Sequence, residues 1–229
     1  MVLRQLGLDF SAKNQKYPPV SIVMVGSESL FHPVVLLPDE YWVFDFTKGP
    51  NSNWQCPFDY QIGRYDEYRP DMYTTDLFSG ERDLHVGLDI GAPEHTNVYA
   101  FADGVVHSLG INPEAGSYGP TIITQHELRL PKSVDSMELG PLRKFWVLHG
   151  HLSTESLTMV KLGSVVKKGE LIATIGNENE NGGWPPHVHL QISYEEPVNN
   201  DLPGVVKLAD REAALKIYPD PRLITGQIY

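Results

Sequence analysis

Glycine and proline recur along the whole chain, 20 and 18 of its 229 residues, and cut it into short apolar runs. The runs VSIVMVG, PVVLL, YWVFDF, NVYAFADGVVHSLG, GPTIITQ, FWVLHGHL, GSVVKKGELIATIG and HVHLQIS are rich in β-branched and aromatic residues and read as strands. Helical periodicity is convincing only in LADREAALKI, stopped by Pro219 and Pro221. A short helical turn is expected after Ser153, a suitable N-cap for TESL. Such a chain is all-β.

Residues from about 50 to 80 break this pattern, being polar, aromatic and aperiodic. They read as an ordered surface segment linking two parts, an N-terminal β extension within 1–75 and a main domain over 76–229. An aromatic segment needs a surface to pack on, so it is expected to lie along a groove and restrict access. Removing residues 1–75 is then expected to raise activity on a large substrate.

A net charge of −11 argues against nucleic acid or an anionic membrane surface as the main partner. No run reaches membrane-spanning length, and the first twenty residues have no apolar core of an export signal. The single cysteine, Cys56, excludes an internal disulfide and a cysteine-rich zinc knuckle and reads as a packed thiol.

The polar faces of three runs carry the chemistry. In HVHLQIS, His187, His189 and Gln191 alternate with Val188, Leu190 and Ile192. In HVGLDI, His85, Gly87 and Asp89 alternate with Val86, Leu88 and Ile90, and in FWVLHGHL, Phe145, Val147, His149 and His151 alternate with Trp146, Leu148 and Gly150. Five of nine histidines and an aspartate fall in these few positions. Half-buried strands usually carry Thr, Ser, Lys or Glu on the wet side, so the set reads as a site. Imidazole and carboxylate without thiolate suit zinc, and three protein ligands leave an open catalytic position, to which Asn51 or Asn53 is a candidate to offer a carbonyl oxygen. His85 and Asp89 would stand about 13 Å apart on a straight strand, so a shared ion requires a bend, which Gly87 permits.

Residues 80–195 resemble the lysostaphin/LytM-type zinc metallopeptidases through HVGLDIGAP, VYAFADGVVHSLG, HGHLS, GSVVKKGELIATIG and PPHVHLQ, in order and spacing. The resemblance implies an all-β fold with a long antiparallel, open barrel-like sheet and a groove. It also implies endopeptidase activity, typically on peptidoglycan peptide bridges, with peptide or peptidoglycan fragments as substrate. Carried over by motif, His85, Asp89 and His189 match the zinc ligands, and His151 and His187 the catalytic histidines. His149, where a tyrosine is usual, and Gly182, Gly183 and Trp184 are expected in the substrate groove. ENGGWPPHVHLQ and the C-terminal tail resemble a subgroup found as a domain in larger aminotransferase-containing proteins.

Other features read as structural. Lys167-Lys168-Gly169 reads as a hairpin turn and Asp103-Gly104 as another turn. His32, His95, His107 and His126 read as solvated or packed. Two alternatives remain on sequence grounds: a glucose-type phosphocarrier domain, whose active-site histidine segment HVGLDI also resembles, and a zinc-bearing interaction module without activity.

Overall fold

A computed structural model describes residues 24–25, 28–50, 55–78 and 80–229; Asn51 and Asn53 lie outside them. In chain order the strands are β1 (Met24–Val25), β2 (Glu28–Ser29), β3 (Trp42–Val43), β4 (Gln61–Gly63), β5 (Glu67–Tyr68), β6 (Leu84–His85), β7 (Leu88–Gly91) and β8 (Asn97–Tyr99). They continue as β9 (Gly104–Asn112), β10 (Gly119–Pro131), β11 (Leu139–Gly150), β12 (Val165–Val166), β13 (Leu171–Thr174), β14 (His187–Ser193) and β15 (Val205–Val206). Among the described residues there are three short α-helices, α1 (Ser156–Met159), α2 (Arg211–Ile217) and α3 (Arg222–Thr225), and 3-10 turns at Asp76–Phe78 and Leu208–Asp210.

Eight strands form one sheet in the order β12-β9-β10-β11-β14-β7-β4-β3, antiparallel except for the pair β3–β4. The sheet is open, so the barrel-like expectation reduces to an open sheet of mixed pairing. Along it, alternation sends Leu88, Ile90, Phe145, Val147, Val188, Leu190 and Ile192 into the main core. Each such side chain, fully buried, contributes about 1.5–3 kcal/mol. The opposite face carries a smaller apolar cluster of Ile123, Trp146 and Leu148 with Tyr118 and Leu202.

That parity corrects one reading of FWVLHGHL. Phe145, Val147 and His149 point into the core face, not toward the site, because His149 pairs with Leu190 and Gly150 with His189. Which face an alternating strand turns to the core is set by its pairing with β14, not by the imidazoles it carries.

The N-terminal residues are woven into the same body. Strands β3 and β4 extend the large sheet beyond β7, and Phe31, Val34, Val35, Tyr41, Val43 and Ile62 join the main core. Packing therefore runs straight across the 75/76 boundary expected from the sequence. PVVLL forms no strand: Pro33 removes a ladder donor, yet Val34 and Val35 are buried and the Val34 carbonyl accepts from Tyr99 N–H at 2.9 Å. Lys167–Gly169 makes a turn, with Glu170 N–H donating to Lys167 O at 2.8 Å, but it is not a hairpin. Its flanking strands β12 and β13 belong to different sheets, pairing with β9 and β8. Ser153 does not open α1 directly; its Oγ accepts from Ser156 N–H at 3.3 Å, and the helix begins at Ser156.

Candidate metal centre and active-site groove

The sheet register sets four residues in one row across four strands: Gly150, His189, Asp89 and Gly63. His189 and Asp89 thus become neighbours although 100 residues separate them. His85 arrives differently. Strand β6 pairs with β5 and β15 in a separate three-stranded sheet, and the chain crosses to β7 through Val86 and Gly87. The crossing provides the bend that the H-x-x-x-D spacing demands. A Cβ on Gly87 would stand 2.2 Å from His189 Cε1, so only glycine lets the chain pass the ring.

Three acceptor atoms converge as a result. His85 Nε2 lies 3.2 Å from Asp89 Oδ1 and 3.2 Å from His189 Nδ1, and His189 Nδ1 lies 3.0 Å from Asp89 Oδ1. The other ring nitrogens fix the tautomers. His85 Nδ1–H donates to Arg64 O at 2.8 Å, and His189 Nε2–H donates to Gln191 Oε1 at 3.1 Å. Gln191 Nε2 donates to Pro203 O, which assigns its Oε1 as the acceptor. Two nitrogen lone pairs and a carboxylate oxygen therefore face one another, an arrangement that repels itself unless a cation sits between them. With metal–ligand distances of about 2.0–2.1 Å, a tetrahedral site has edges of about 3.3 Å, close to this triangle. His85, Asp89 and His189 could hold a metal ion.

The electrostatics agree with ligands ready to bind. Burial alone would push the Asp89 carboxyl up, but His85, Arg69 and His189 hold it well below the usual carboxylate range. Burial and then the charge of Arg69 push His85 down to about 4, so it is a neutral imidazole at pH 7.

Above the triangle stand His151 and His187, ring centroids 4.3 Å apart. Each donates Nδ1–H to a carbonyl, His151 to Asn181 O and His187 to Pro185 O, both at 2.7 Å, which leaves each Nε2 unprotonated. His187 Nε2 is 3.8 Å from Asp89 Oδ1. Burial first, and for His151 the neighbouring His187 next, lower both rings, so both are neutral at pH 7. His151 reaches this side only because the strand stops at Gly150 and its own backbone turns left-handed, φ 60°. For a non-glycine residue that conformation costs on the order of 1 kcal/mol and is concentrated at functional sites.

The triangle lies in the floor of a groove of about 1150 Å³. Met72, Tyr73 and Phe78 of the segment between residues 50 and 80 line the groove, as do Phe44 and Phe46 from the chain before that segment. Glu195, Glu196 and Asp201 line the groove as well.

Sequence comparison now adds an independent observation: residues 83–200 match the pattern of Peptidase family M23. The chain belongs to that family. A metalloprotease of Haemophilus influenzae, itself described as uncharacterized, is 31% identical over 124 residues, 52% of this chain and 22% of that protein. The DD-carboxypeptidase/endopeptidase Mpg of Neisseria meningitidis serogroup B is 31% identical over 117 residues, 51% of this chain and 22% of its own. The matches thus span about a fifth of the length of these relatives. Among solved structures, the catalytic domain of the prophage-encoded M23 protein EnpA of Enterococcus faecalis is similar, at 21% identity and a TM-score of 0.42. It covers 69% of this chain and 93% of that domain. The lysostaphin catalytic domain of Staphylococcus simulans gives 18% identity and a TM-score of 0.35 over 68% of this chain and 92% of its own.

Membership in the M23 family decides between the two readings of HVGLDI in favour of the peptidase over the phosphocarrier. Within this M23 domain, His85, Asp89, His189, His151 and His187 come together around one point. His149 does not. It is fully buried on the core face, with Nδ1–H donating to Ile122 O at 3.3 Å and Nε2 without a partner, so its expected place in the groove is corrected to the core. Trp184 lines the groove, its indole N–H donating to Gly116 O at 3.1 Å. Gly183 is exposed on the same loop, where its φ of 89° suits glycine. Gly182 approaches so closely that a Cβ would stand 1.9 Å from Ser117 O. Sequence reasoning missed Asn181, whose buried side chain accepts from Gly183 N–H and Trp184 N–H while its carbonyl orients His151. It also missed Tyr118, whose hydroxyl donates to Leu202 O at 3.0 Å between the rings of His151 and His189. The Asn-Gly-Gly triplet is a turn signal that could have found the asparagine; nothing in the sequence marks the tyrosine. Among the described residues no helix is long and apolar enough to cross a membrane.

Proposed function

We propose that this M23 peptidase domain is a zinc-dependent endopeptidase acting on peptide bridges of the peptidoglycan type. The observation that carries the reading is the triangle of His85 Nε2, Asp89 Oδ1 and His189 Nδ1, three acceptors with no donor between them. Neutral imidazole and carboxylate oxygen with no thiolate are the donor set of catalytic zinc.

When bound, zinc supplies Lewis acidity that polarises the scissile carbonyl and lowers the pKa of a water to about 7. The chain's own residues do the rest. His151, fixed through Asn181 O, presents an unprotonated Nε2 and takes the proton of the attacking water. Once protonated, it can return that proton to the leaving amine. His187 stands closer to the Asp89 carboxylate and, when protonated, stabilises the oxyanion. The Nδ1–H bonds of both rings to backbone carbonyls leave each Nε2 free to take a proton, which His151 needs as base and which His187 must have taken before it can donate to an oxyanion. Trp184 and the glycines before it bring the groove wall close to an extended peptide backbone.

Elemental analysis of the purified protein, followed by incubation with peptidoglycan fragments and with short Gly- and D-Ala-containing peptides, tests the reading. One zinc per chain and cleavage within a peptide bridge are expected. Zinc without cleavage of any of these substrates would make the domain an interaction module instead.

A further inference from the structure

We propose that Arg69, contributed by the N-terminal segment, is a positioning residue of the metal centre that clamps Asp89 as a one-oxygen ligand. This rests on the reading of His85, Asp89 and His189 as ligands. Arg69 is 3% exposed and spends four of its N–H groups on named partners. Its Nε donates to Glu67 Oε2 at 2.9 Å, one terminal nitrogen to Asp89 Oδ2 at 2.7 Å and Tyr73 OH at 3.0 Å, and the other to Arg64 O at 3.0 Å.

The division of the carboxylate is the point. Oδ2 belongs to the guanidinium, and Oδ1 is left to face His85 and His189. A carboxylate free to rotate could offer either oxygen, or both; held at Oδ2, it offers one, in the plane of the triangle. The fork of the guanidinium suits this task because it joins Glu67, Tyr73 and Asp89 rigidly, which a lysine ammonium on a flexible stem cannot do. Arg64 O accepts both from Arg69 and from His85 Nδ1–H, so one short stretch before the M23 match orients two of the three ligands. Glu67 pairs with His85 in the β5–β6 ladder, which fixes that stretch against the ligand strand. Gly63 closes the arrangement: a Cβ there would stand 2.8 Å from both Arg69 Nη2 and Asp89 Oδ2. The sheet leaves room for this contact only where a side chain is missing.

The test is metal affinity, measured by titrating metal-free protein with zinc against a competing chelator. Partners of metal ligands typically govern affinity by about 10–100-fold. Arg69→Gln is expected to weaken zinc binding within that range. Arg69→Lys should recover part of the loss, keeping the charge without the fork. Gly63→Ala keeps every charge and wedges the contact, and should weaken binding in the same direction, with faster zinc release to the chelator. The metal-induced rise in melting temperature should shrink in all three, a readout that packing alone would not move. If Arg69→Gln fails to fold, Gly63→Ala and Tyr73→Phe decide. Wild-type affinity in Gly63→Ala and Arg69→Gln, with zinc lost from His189→Ala, overturns the clamp and leaves the ligands standing. Zinc retained by His189→Ala overturns the ligand reading, and the clamp with it.

Discussion

HGH at residues 149–151 and HVH at 187–189 look alike in the sequence and are built in opposite ways. In HVH the strand alternation holds, so His187 and His189 share one face and both reach the groove. In HGH the alternation ends at Gly150: His149 keeps the core parity, and His151 swings to the groove through a left-handed backbone. One pair uses the pleat; the other uses a departure from it. Periodicity therefore locates a face only while the strand lasts, and a functional residue just past the end escapes the rule.

The harshest way to break this comparison is to remove the shelf on which the HVH row rests. Deleting residues 1–75 takes away β3, β4 and β5 together with Val34, Val35, Tyr41, Val43 and Ile62 of the core. The truncated chain should not fold cooperatively, as circular dichroism and thermal melting would reveal. The gain of activity that the sequence alone predicts would show instead that the M23 domain stands without these strands.

Within the folded protein, His189→Ala should be the most damaging change, stripping the metal and abolishing turnover while the sheet survives. Metal content by elemental analysis, with the far-ultraviolet spectrum as control, checks it. His151→Ala sharpens the contrast: the metal stays, and kcat falls by about 10²–10⁴-fold. His187→Ala should behave similarly. The double variant should be scarcely slower than either single one if both serve one proton-transfer step, which a four-way kinetic comparison reads. A His151 variant that loses metal while His85→Ala keeps it would reverse the assignment.

His149→Leu should leave turnover nearly intact, and its mark should appear in stability against pH. Burial pushes His149 down to about 4 from an ordinary value near 6.5. Between those values the unfolded chain takes a proton that the folded one refuses, so wild-type stability falls as pH falls through this window. At the steepest this is about 1.4 kcal/mol per pH unit. Removing the imidazole removes that loss, so the advantage of the leucine variant should be about 2 kcal/mol greater at pH 5 than at pH 7. Urea denaturation at the two pH values measures it, and an equal effect at both would show that His149 is accessible to protons in the fold.

How much of this could be read beforehand follows from the kind of constraint involved. The strands β7, β11 and β14 announce themselves by alternation, and the His and Asp residues in and beside them carry the motif that family resemblance completes. The crossing at Gly87 was legible as a necessity, since two ligands about 13 Å apart on a straight strand cannot share an ion. Arg69 was not legible. It sits in an aperiodic stretch, and its meaning arises from the pairing of β4 with β7, a long-range register that no local pattern encodes. The same holds for Tyr118, which precedes β10 and reaches the site from its side. PVVLL misled because burial was mistaken for extension: Val34 and Val35 are core residues in irregular chain.

The insertion of β14 between β11 and β7 also has a kinetic meaning. His189 can meet Asp89 only after a loop of 100 residues has closed, with β8 to β13 formed or forming inside it. Closing so long a loop is entropically costly and slow compared with local hairpin pairing, such as that of β10 with β11. Metal uptake should therefore trail the recovery of β-structure during refolding, because the ligand triangle does not exist until the last long-range strand is in place. A nascent or partly unfolded chain has the histidines but not the fold that brings them to Asp89.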